Sequence, residues 1–288
     1  MTRKAFSVNS RWRLGLCAIV GRSVWNAFTE RTTLPAPGLV SVTLRHLPPE
    51  EVALAAGAAG LTCVEWGADV HAPPLDAPLL ERCREASASA GLRIASYGSY
   101  WKAGSSSADE GEAVLAAASI LGAPRVRVWA GQLGSEHTDA ETRMHVVHAL
   151  RSLGRRAADL GLEIAVEHHP DTLSDTAAMT LRLLDEVGSD VVTTYWQPDI
   201  GQPTPLALAE LDALLEAVPE RLSAVHVFAW WPAHERHELA TREDLWAPAL
   251  DRIRESAPGC DVMLEFVPGD SVEVLVDEAR TLHRLLAT

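Results

Sequence analysis

Residues 157–169 read AADLGLEIAVEHH, and this stretch decides the fold. It begins as the Ala/Leu-rich end of a helix, stops at Gly161, and continues as a short aliphatic run, Leu162 to Glu167, that leads into two imidazoles. Gly161 accepts the left-handed cap that alanine holds only at a cost, so a helix ends and a strand begins within a few residues. Along the strand, period-two alternation places Ala165, Glu167 and His169 on one face and Ile164 and Val166 on the other. The aliphatic face suits a covering layer of helices. The polar face then points into whatever the sheet encloses.

The same unit recurs at intervals of about 30 residues, the length of a strand–helix repeat. Residues 55–66 (AAGAAGLTCVEW), 86–97 (ASASAGLRIASY) and 117–129 (AASILGAPRVRVW) repeat the order helix, Gly stop, strand. Eight strands are expected: Leu39–Leu44, Leu61–Glu65, Leu92–Ser96, Arg125–Trp129, Leu162–Glu167, Val191–Tyr195, Leu222–Phe228 and Asp261–Phe266. Helix starts are visible at Pro48-Pro49-Glu50-Glu51 and at Ser174-Asp175, ahead of a helix from Ala177 to Val187. Alternating strands and helices imply a parallel α/β sheet. Eight units with neither a Gly-rich phosphate loop nor a GxGxxG favour a closed (β/α)8 (TIM) barrel over an open doubly wound sheet.

The chain has 288 residues, enough for one such barrel, which occupies 38–288 in this reading. Residues 1–37 stand apart as a loosely attached N-terminal extension that ends at Pro35, Ala36, Pro37 and Gly38. Within it Arg3, Lys4, Arg11 and Arg13 precede an apolar run, Leu14 to Val20. That run is short for a signal peptide and no clear small-residue cleavage site follows. The net charge of −14, with no basic patch beyond the first residues, argues against nucleic acid as a partner. Cys17, Cys63, Cys83 and Cys260 lie far apart with no CxxC pair, which reads as reduced thiols in a cytoplasmic protein. No apolar run reaches the roughly 18 residues of a membrane helix. A homodimer is the assembly to test.

In a barrel of this kind the chemistry sits at the C-terminal strand ends. Strand two ends in Glu65, with His71 in the following loop. Strand four carries Arg127 and Trp129, and strand five ends Glu167-His168-His169. Trp196-Gln197-Pro198-Asp199 follows strand six, His226 lies in strand seven and Glu265 near the end of strand eight. Alternation pairs Arg127 with Trp129, Ala224 with His226 and Met263 with Glu265 on inward faces. Glu167 and Glu265 converging in one barrel would repel each other, and a divalent ion would offset that directly. Oxygen and imidazole donors suit Mn²⁺, Mg²⁺, Co²⁺ or Zn²⁺. The alternative is plain salt bridging, with Arg127 neutralising a Glu and His226 an ordinary core histidine. Three such residues on separate strands at one barrel end favour a site. Seven tryptophans (Trp66, Trp101, Trp129, Trp196, Trp230, Trp231 and Trp246) also fall at or just after expected strand ends. A rim of aromatic faces suits the C–H faces of a sugar or cyclic polyol, though any one of them could be core.

Together, VEWGADVHAP (64–73), SYGSYW (96–101), RVWAG (127–131), VEHH (166–169), HVFAW (226–230) and LEF (264–266) resemble the xylose isomerase-like barrel superfamily, in particular its sugar phosphate isomerase/epimerase group. The resemblance runs from about Leu39 to the C-terminus. It implies one divalent metal, Mn²⁺ or Mg²⁺ first, on a Glu, an Asp, a His and a Glu from strands five to eight. Carried over, these are Glu167, a residue of the 197–199 segment, His226 and Glu265. Gln197 takes the ligand position in this sequence, with Asp199 as the alternative, and the His expected three residues after the ligand is missing. The implied mechanism removes a proton α to a carbonyl with Glu167 or Glu265, through an enediolate. His71 and His169 would hold hydroxyls, and Arg236 matches a family Arg that contacts substrate oxygens. The expected activity is therefore that of an isomerase or epimerase on a sugar or keto-sugar. A lyase that dehydrates or β-eliminates a sugar-like substrate shares its first steps. A non-catalytic carbohydrate-binding barrel, with Gln197 marking a decayed site, is the remaining alternative.

Overall fold

The computed structural model describes residues 35–287, and β1 to β8 close in sequence order into a parallel barrel. The strands are β1 (Ala36–Val40), β2 (Cys63–Gly67), β3 (Arg93–Lys102), β4 (Arg125–Trp129), β5 (Glu163–Glu167), β6 (Val192–Trp196), β7 (Leu222–Val227) and β8 (Asp261–Leu264). Between and after them run α1 (Pro49–Ala58), α2 (Ala77–Ser89), α3 (Ala108–Leu121), α4 (Ala140–Asp159), α5 (Ala177–Val187), α6 (Thr204–Ala217), α7 (Glu243–Ser256) and α8 (Val272–Ala287). No helix among the described residues is long and apolar enough to cross a membrane.

Alternation sorts the strands as their sequence implies. Ile164 and Val166 join the core between barrel and helices, while Ala165 joins a small inner cluster with Cys63, Ala95, Tyr195, Ala224 and Met263. Three alanines in this layer leave the barrel axis to the Tyr195 ring. Below it Arg125 closes the floor: it donates to Asp261 at 3.2 Å, Glu163 at 3.4 Å and the Ser223 carbonyl at 3.0 Å, and Arg93 pairs with the same Asp261.

Several details differ from expectation. The first strand starts at Ala36, inside the stretch read as an extension, and ends at Val40; Ser41–Leu44 forms a 3-10 turn instead. The hydroxyls cause this: Ser41 Oγ accepts the Gly67 amide at 2.9 Å and Thr43 Oγ1 accepts that of Phe266 at 3.0 Å, tying the turn to strands on either side. Strand β3 continues past Ser96 to Lys102, with a register shift against β4 beyond Gly98. Thr176 caps α5, while Ser174 Oγ donates to the Glu167 carbonyl and Asp175 accepts the Ser135 amide. Residues 1–34, with the basic and apolar runs noted above, lie outside the described residues.

Candidate active site

The mouth of the barrel is organised by Arg127. Its Nε donates to Glu65 Oε1 at 3.0 Å and its Nη1 to Glu167 Oε2, and all three side chains are buried. Gly98 makes room for this pair: a Cβ there would stand 2.7 Å from Glu65 Oε1 and 2.9 Å from Arg127 Nη2. Ser96 Oγ donates to the other Glu65 oxygen at 2.6 Å, and Trp129 Nε1 donates to Glu167 Oε2 at 2.5 Å. Glu167 is thus fixed through one oxygen. Its Oε1 turns toward β7.

There His226 is the hub. Its Nδ1 lies 3.0 Å from Gln197 Oε1, 3.4 Å from Glu167 Oε1 and 3.5 Å from Glu265 Oε2, and the ring is fully buried. Its Nε2 faces Glu65 Oε1 at 3.6 Å. Ligands that share one ion at bonds of about 2.0–2.2 Å stand about 3.0–3.5 Å from one another, and the three distances from His226 Nδ1 fall in that range. A carboxylate behind the second ring nitrogen is the usual support for a ligating histidine. Among the described residues no three ionisable side chains make a ready-made metal cage. The amide oxygen of Gln197 and the Arg127 clamp on Glu167 set this cluster apart from one.

Three carboxylates therefore face one guanidinium and one imidazole. Burial pushes each carboxyl up. At Glu65 the charges of Arg127 and His226 outweigh it and hold the group at about 2. Glu167 is driven below the ordinary carboxylate range by the same two neighbours. Glu265 goes the other way, because burial and the charges of Glu167 and Glu65 exceed the pull of His226 and Arg127. Burial opposes charge on His226 as well, yet Glu265, Glu167 and Glu65 raise it to about 10.

A cavity of about 330 Å³ opens above this cluster, at the small end of small-molecule sites. Of the expected residues Arg127, Trp129, Glu167, His169, Gln197, Trp230 and Glu265 line it, and His226 lies beneath. His169 stacks on Trp129 at 4.7 Å and its Nδ1 lies 2.7 Å from the Pro170 carbonyl, leaving Nε2 for a ligand. Asp199 lines the cavity too, but its Oδ1 lies 3.9 Å from His168 Nε2, whereas Gln197, just after β6, is the residue of this segment that reaches His226.

Three expectations are corrected. His71 does not line the cavity: it is buried between Ser41 Oγ and the Leu47 carbonyl, each 3.1 Å from a ring nitrogen, with Trp66 against its edge. Trp196 points outward from β6, since Tyr195 takes the inward position, and packs on Trp246 at 5.9 Å. Arg236 does not reach the cavity: it pairs with Asp270 at 2.6 Å and lies on the Trp230 and Phe266 rings at 5.0 and 4.7 Å. The wider aromatic rim shrinks with them. Trp66 and Trp246 are core, Trp101 is buried with Nε1 on the Ser107 carbonyl, Trp231 lies outside under Arg242, and only Trp129 and Trp230 face the cavity.

Sequence reasoning gave no role to Glu65, Tyr100, Phe228 or Phe266. Glu65 shares the inward face of β2 with Cys63, so alternation could have found it. Tyr100 could not be placed without the extra length of β3. Phe266 is held at a φ of 54°, a conformation rare for a bulky residue, at a cost of about 1–3 kcal/mol. Such strain persists where the surroundings impose it, here directly after Glu265.

Comparison with known proteins agrees with this architecture. A stretch of 63 residues, 22% of this chain and 22% of the relative, is 36% identical to a 3-dehydroshikimate dehydratase of Bacillus anthracis, so the match spans about a fifth of that protein. The probable 3-DHS dehydratase AsbF of Bacillus anthracis superposes with a TM-score of 0.71 at 18% identity, over 87% of this chain and 99% of that one. A D-allulose 3-epimerase from Methylomonas sp. gives 0.65 at 16%, over 88% and 98%. A magnesium complex of a xylose isomerase-like barrel protein from Mycobacterium smegmatis gives 0.61 at 18%, over 87% and 96%. At such identities these structures bear on the fold alone. The family model for the xylose isomerase-like TIM barrel, however, matches residues 52–285, nearly the whole of the described barrel, and the chain belongs to that family.

Proposed function

We propose that the barrel removes a proton α to the carbonyl of a small hydroxy-ketone and expels a β-hydroxyl, acting as a divalent-metal-dependent lyase. Glu167, Gln197, His226 and Glu265 would hold the ion, Mn²⁺ or Mg²⁺ first, which supplies a Lewis acid for the oxygen beside the reacting carbon. The observation that carries the reading is the inequality of the two glutamates. Glu167 gives one oxygen to Arg127 and Trp129 and is held ionised, whereas Glu265 receives no such donors and its carboxyl is raised, as suits a base. One base suffices for elimination. Glu265 takes the proton from carbon, the C–H electrons become the new double bond, and the hydroxyl leaves as water with a proton from His169. Similarity to a dehydratase supports this outcome.

Isomerisation or epimerisation, the sequence-based expectation, keeps one observation in its favour: Glu167 Oε1 and Glu265 Oε2 flank the same His226 nitrogen. Two carboxylates beside one substrate carbon suit proton removal on one side and return on the other. Incubating candidate hydroxy-ketones in D₂O with and without Mn²⁺, followed by NMR, separates the outcomes. Elimination gives an unsaturated product and water, and Glu265→Gln lowers its rate by about 10²–10⁴-fold. Deuterium in an isomerised or epimerised product, with no unsaturated one, sinks the lyase reading. Failure to bind close to one equivalent of any divalent ion favours the non-catalytic carbohydrate-binding barrel. A cytoplasmic setting is consistent with Cys63 and Cys83 being buried thiols whose pKa values burial raises.

A further inference from the structure

The helix layer has a charge pattern of its own. Four seams between neighbouring helices are each crossed by one arginine–carboxylate pair: Glu50 with Arg82 (α1 and α2), Glu112 with Arg156 (α3 and α4), Asp212 with Arg252 (α6 and α7) and Glu243 with Arg284 (α7 and α8). Such exposed pairs neutralise themselves and contribute little more. The seam between α4 and α5 breaks the pattern. Arg143 Nε donates to Glu186 Oε2 at 2.7 Å and Arg182 Nε to its Oε1 at 2.8 Å. Arg151 donates from Nε to the Val187 carbonyl at 3.0 Å and from Nη2 to that of Glu186. Three guanidiniums thus converge on one glutamate. Arg143 is only 9% exposed, and its Nη2 is buried with no acceptor among the described residues. A buried donor left in that state costs about 1–3 kcal/mol.

These arginines line a groove of about 550 Å³ that shares no residue with the cavity at the barrel mouth. Arg143, Val147 and Arg151 follow one another at four-residue spacing on α4, and Met179 and Arg182 at three-residue spacing on α5, so each helix turns one face to the groove. Asp139, the other carboxylate on the lining, is occupied in capping α4 through the Thr142 amide at 2.7 Å. Three guanidiniums against two carboxylates make a local positive surplus on a chain whose net charge is −14. Met144, Val147 and Met179 give the same groove an apolar part. Methionine adapts readily to the shape of a ligand. The volume is that of a site for a small organic molecule and is more than a bare phosphate ion fills.

We propose that the groove between α4 and α5 is a second binding site, separate from the barrel mouth, for a phosphorylated small molecule with an apolar arm. Its phosphoryl oxygens accept from Arg143 and Arg182, whose Nη donors have no acceptor among the described residues. The planar guanidinium fork suits phosphate geometry. The apolar arm lies on Met144, Val147 and Met179. Glu186 sets the limit on affinity, because it already takes one donor from each of the two arginines. A ligand held in this way ties α4 to α5 and stabilises the folded chain by mass action.

The test is calorimetric titration of the full chain, dialysed free of divalent ions, with phenyl phosphate, inorganic phosphate and phenol. Phenyl phosphate is expected to bind about tenfold tighter than inorganic phosphate and to raise Tm, with phenol weaker than either. Arg182 is more than half exposed, so Arg182→Gln should fold normally and weaken phenyl phosphate about tenfold. Met179→Ala should cut the advantage of phenyl phosphate over inorganic phosphate about threefold. Glu186→Gln releases both guanidiniums from their carboxylate and should tighten both phosphates about tenfold, although it loses the ion pairs between the helices. A cluster that only staples α4 to α5 would lose Tm in that variant and gain no anion binding. Arg45→Met, at the barrel mouth, should leave the affinity unchanged. No binding up to about 10 mM, affinity unmoved by both Arg182→Gln and Glu186→Gln, or affinity lost only in Arg45→Met overturns the proposal.

Discussion

Strand β4 carries two arginines two residues apart on the same inward face, and they meet opposite fates. Arg125 sits at the floor among Asp261 and Glu163, with Arg93 sharing Asp261, so two guanidiniums face two carboxylates. Arg127 sits at the mouth and faces Glu65 and Glu167, with Glu265 beyond them and only the His226 imidazole to help. The floor is balanced by its own residues. The mouth is short of positive charge. A buried network that balances itself serves packing, whereas one in deficit calls for a cation from outside. The difference explains why two chemically identical side chains, held by the same strand, do different work.

Several substitutions can break or sharpen this contrast, and the largest effect belongs to the floor. Arg125→Met leaves Asp261 and Glu163 with reduced compensation in a buried setting, and stability should fall by about 3–5 kcal/mol in denaturant titrations, with Mn²⁺ affinity unchanged. An equal loss of metal binding would mean that the two ends are not independent. At the mouth, Arg127→Met should destabilise the metal-free protein comparably, but there a divalent ion can take over. At about 100 times its dissociation constant an ion adds about 2.7 kcal/mol of stability, so saturating Mn²⁺ should rescue this variant and not the floor variant. Rescue of both, or of neither, removes the distinction.

Gln197→Asp deepens the deficit by one more carboxylate. The metal-free Tm should drop while Mn²⁺ binds roughly tenfold more tightly, about 1.4 kcal/mol, when titrated by calorimetry. Unchanged affinity would show that position 197 does not touch the ion. The smallest effect concerns Glu278, a buried carboxylate that accepts the Leu239 amide at 2.8 Å and has no ion pair among those described. Burial raises it to about 7, so the folded state holds its proton more tightly than the unfolded chain. Its contribution is most favourable at acid pH and is lost as pH rises from the ordinary carboxylate range through about 7. Glu278→Gln should therefore gain about 2 °C in Tm relative to the parent between pH 5 and pH 8, and a flat difference would contradict the assignment.

Much of the barrel could be read from the chain because its signals are local. The Gly161 stop, the Ala165/Glu167/His169 alternation and the repeat of both around the chain are short-range, and they survive in three dimensions. Strand ends were less legible where a side chain competes for backbone hydrogen bonds, as Ser41 and Thr43 do after β1. Glu167, His226 and Glu265 were legible as a set because each sits at an inward strand position. His71 was not, since only the fold reveals that Ser41 and Leu47 already occupy both of its nitrogens. The tryptophans misled for a related reason. Proximity to a strand end says nothing about face, and a one-residue shift of β6 turned Trp196 from the mouth into the core.

The sealed floor also dictates traffic. Among the described residues Arg125, Asp261 and the Tyr195 ring fill the axis beneath the cavity, so under the proposed reaction substrate, product and expelled water would share the mouth as their doorway. A spent molecule must depart before the next one enters. Product should accordingly compete with substrate for the free protein, and crowding at that doorway, rather than the chemistry beneath it, would then set the pace whenever the product is the stickier of the two.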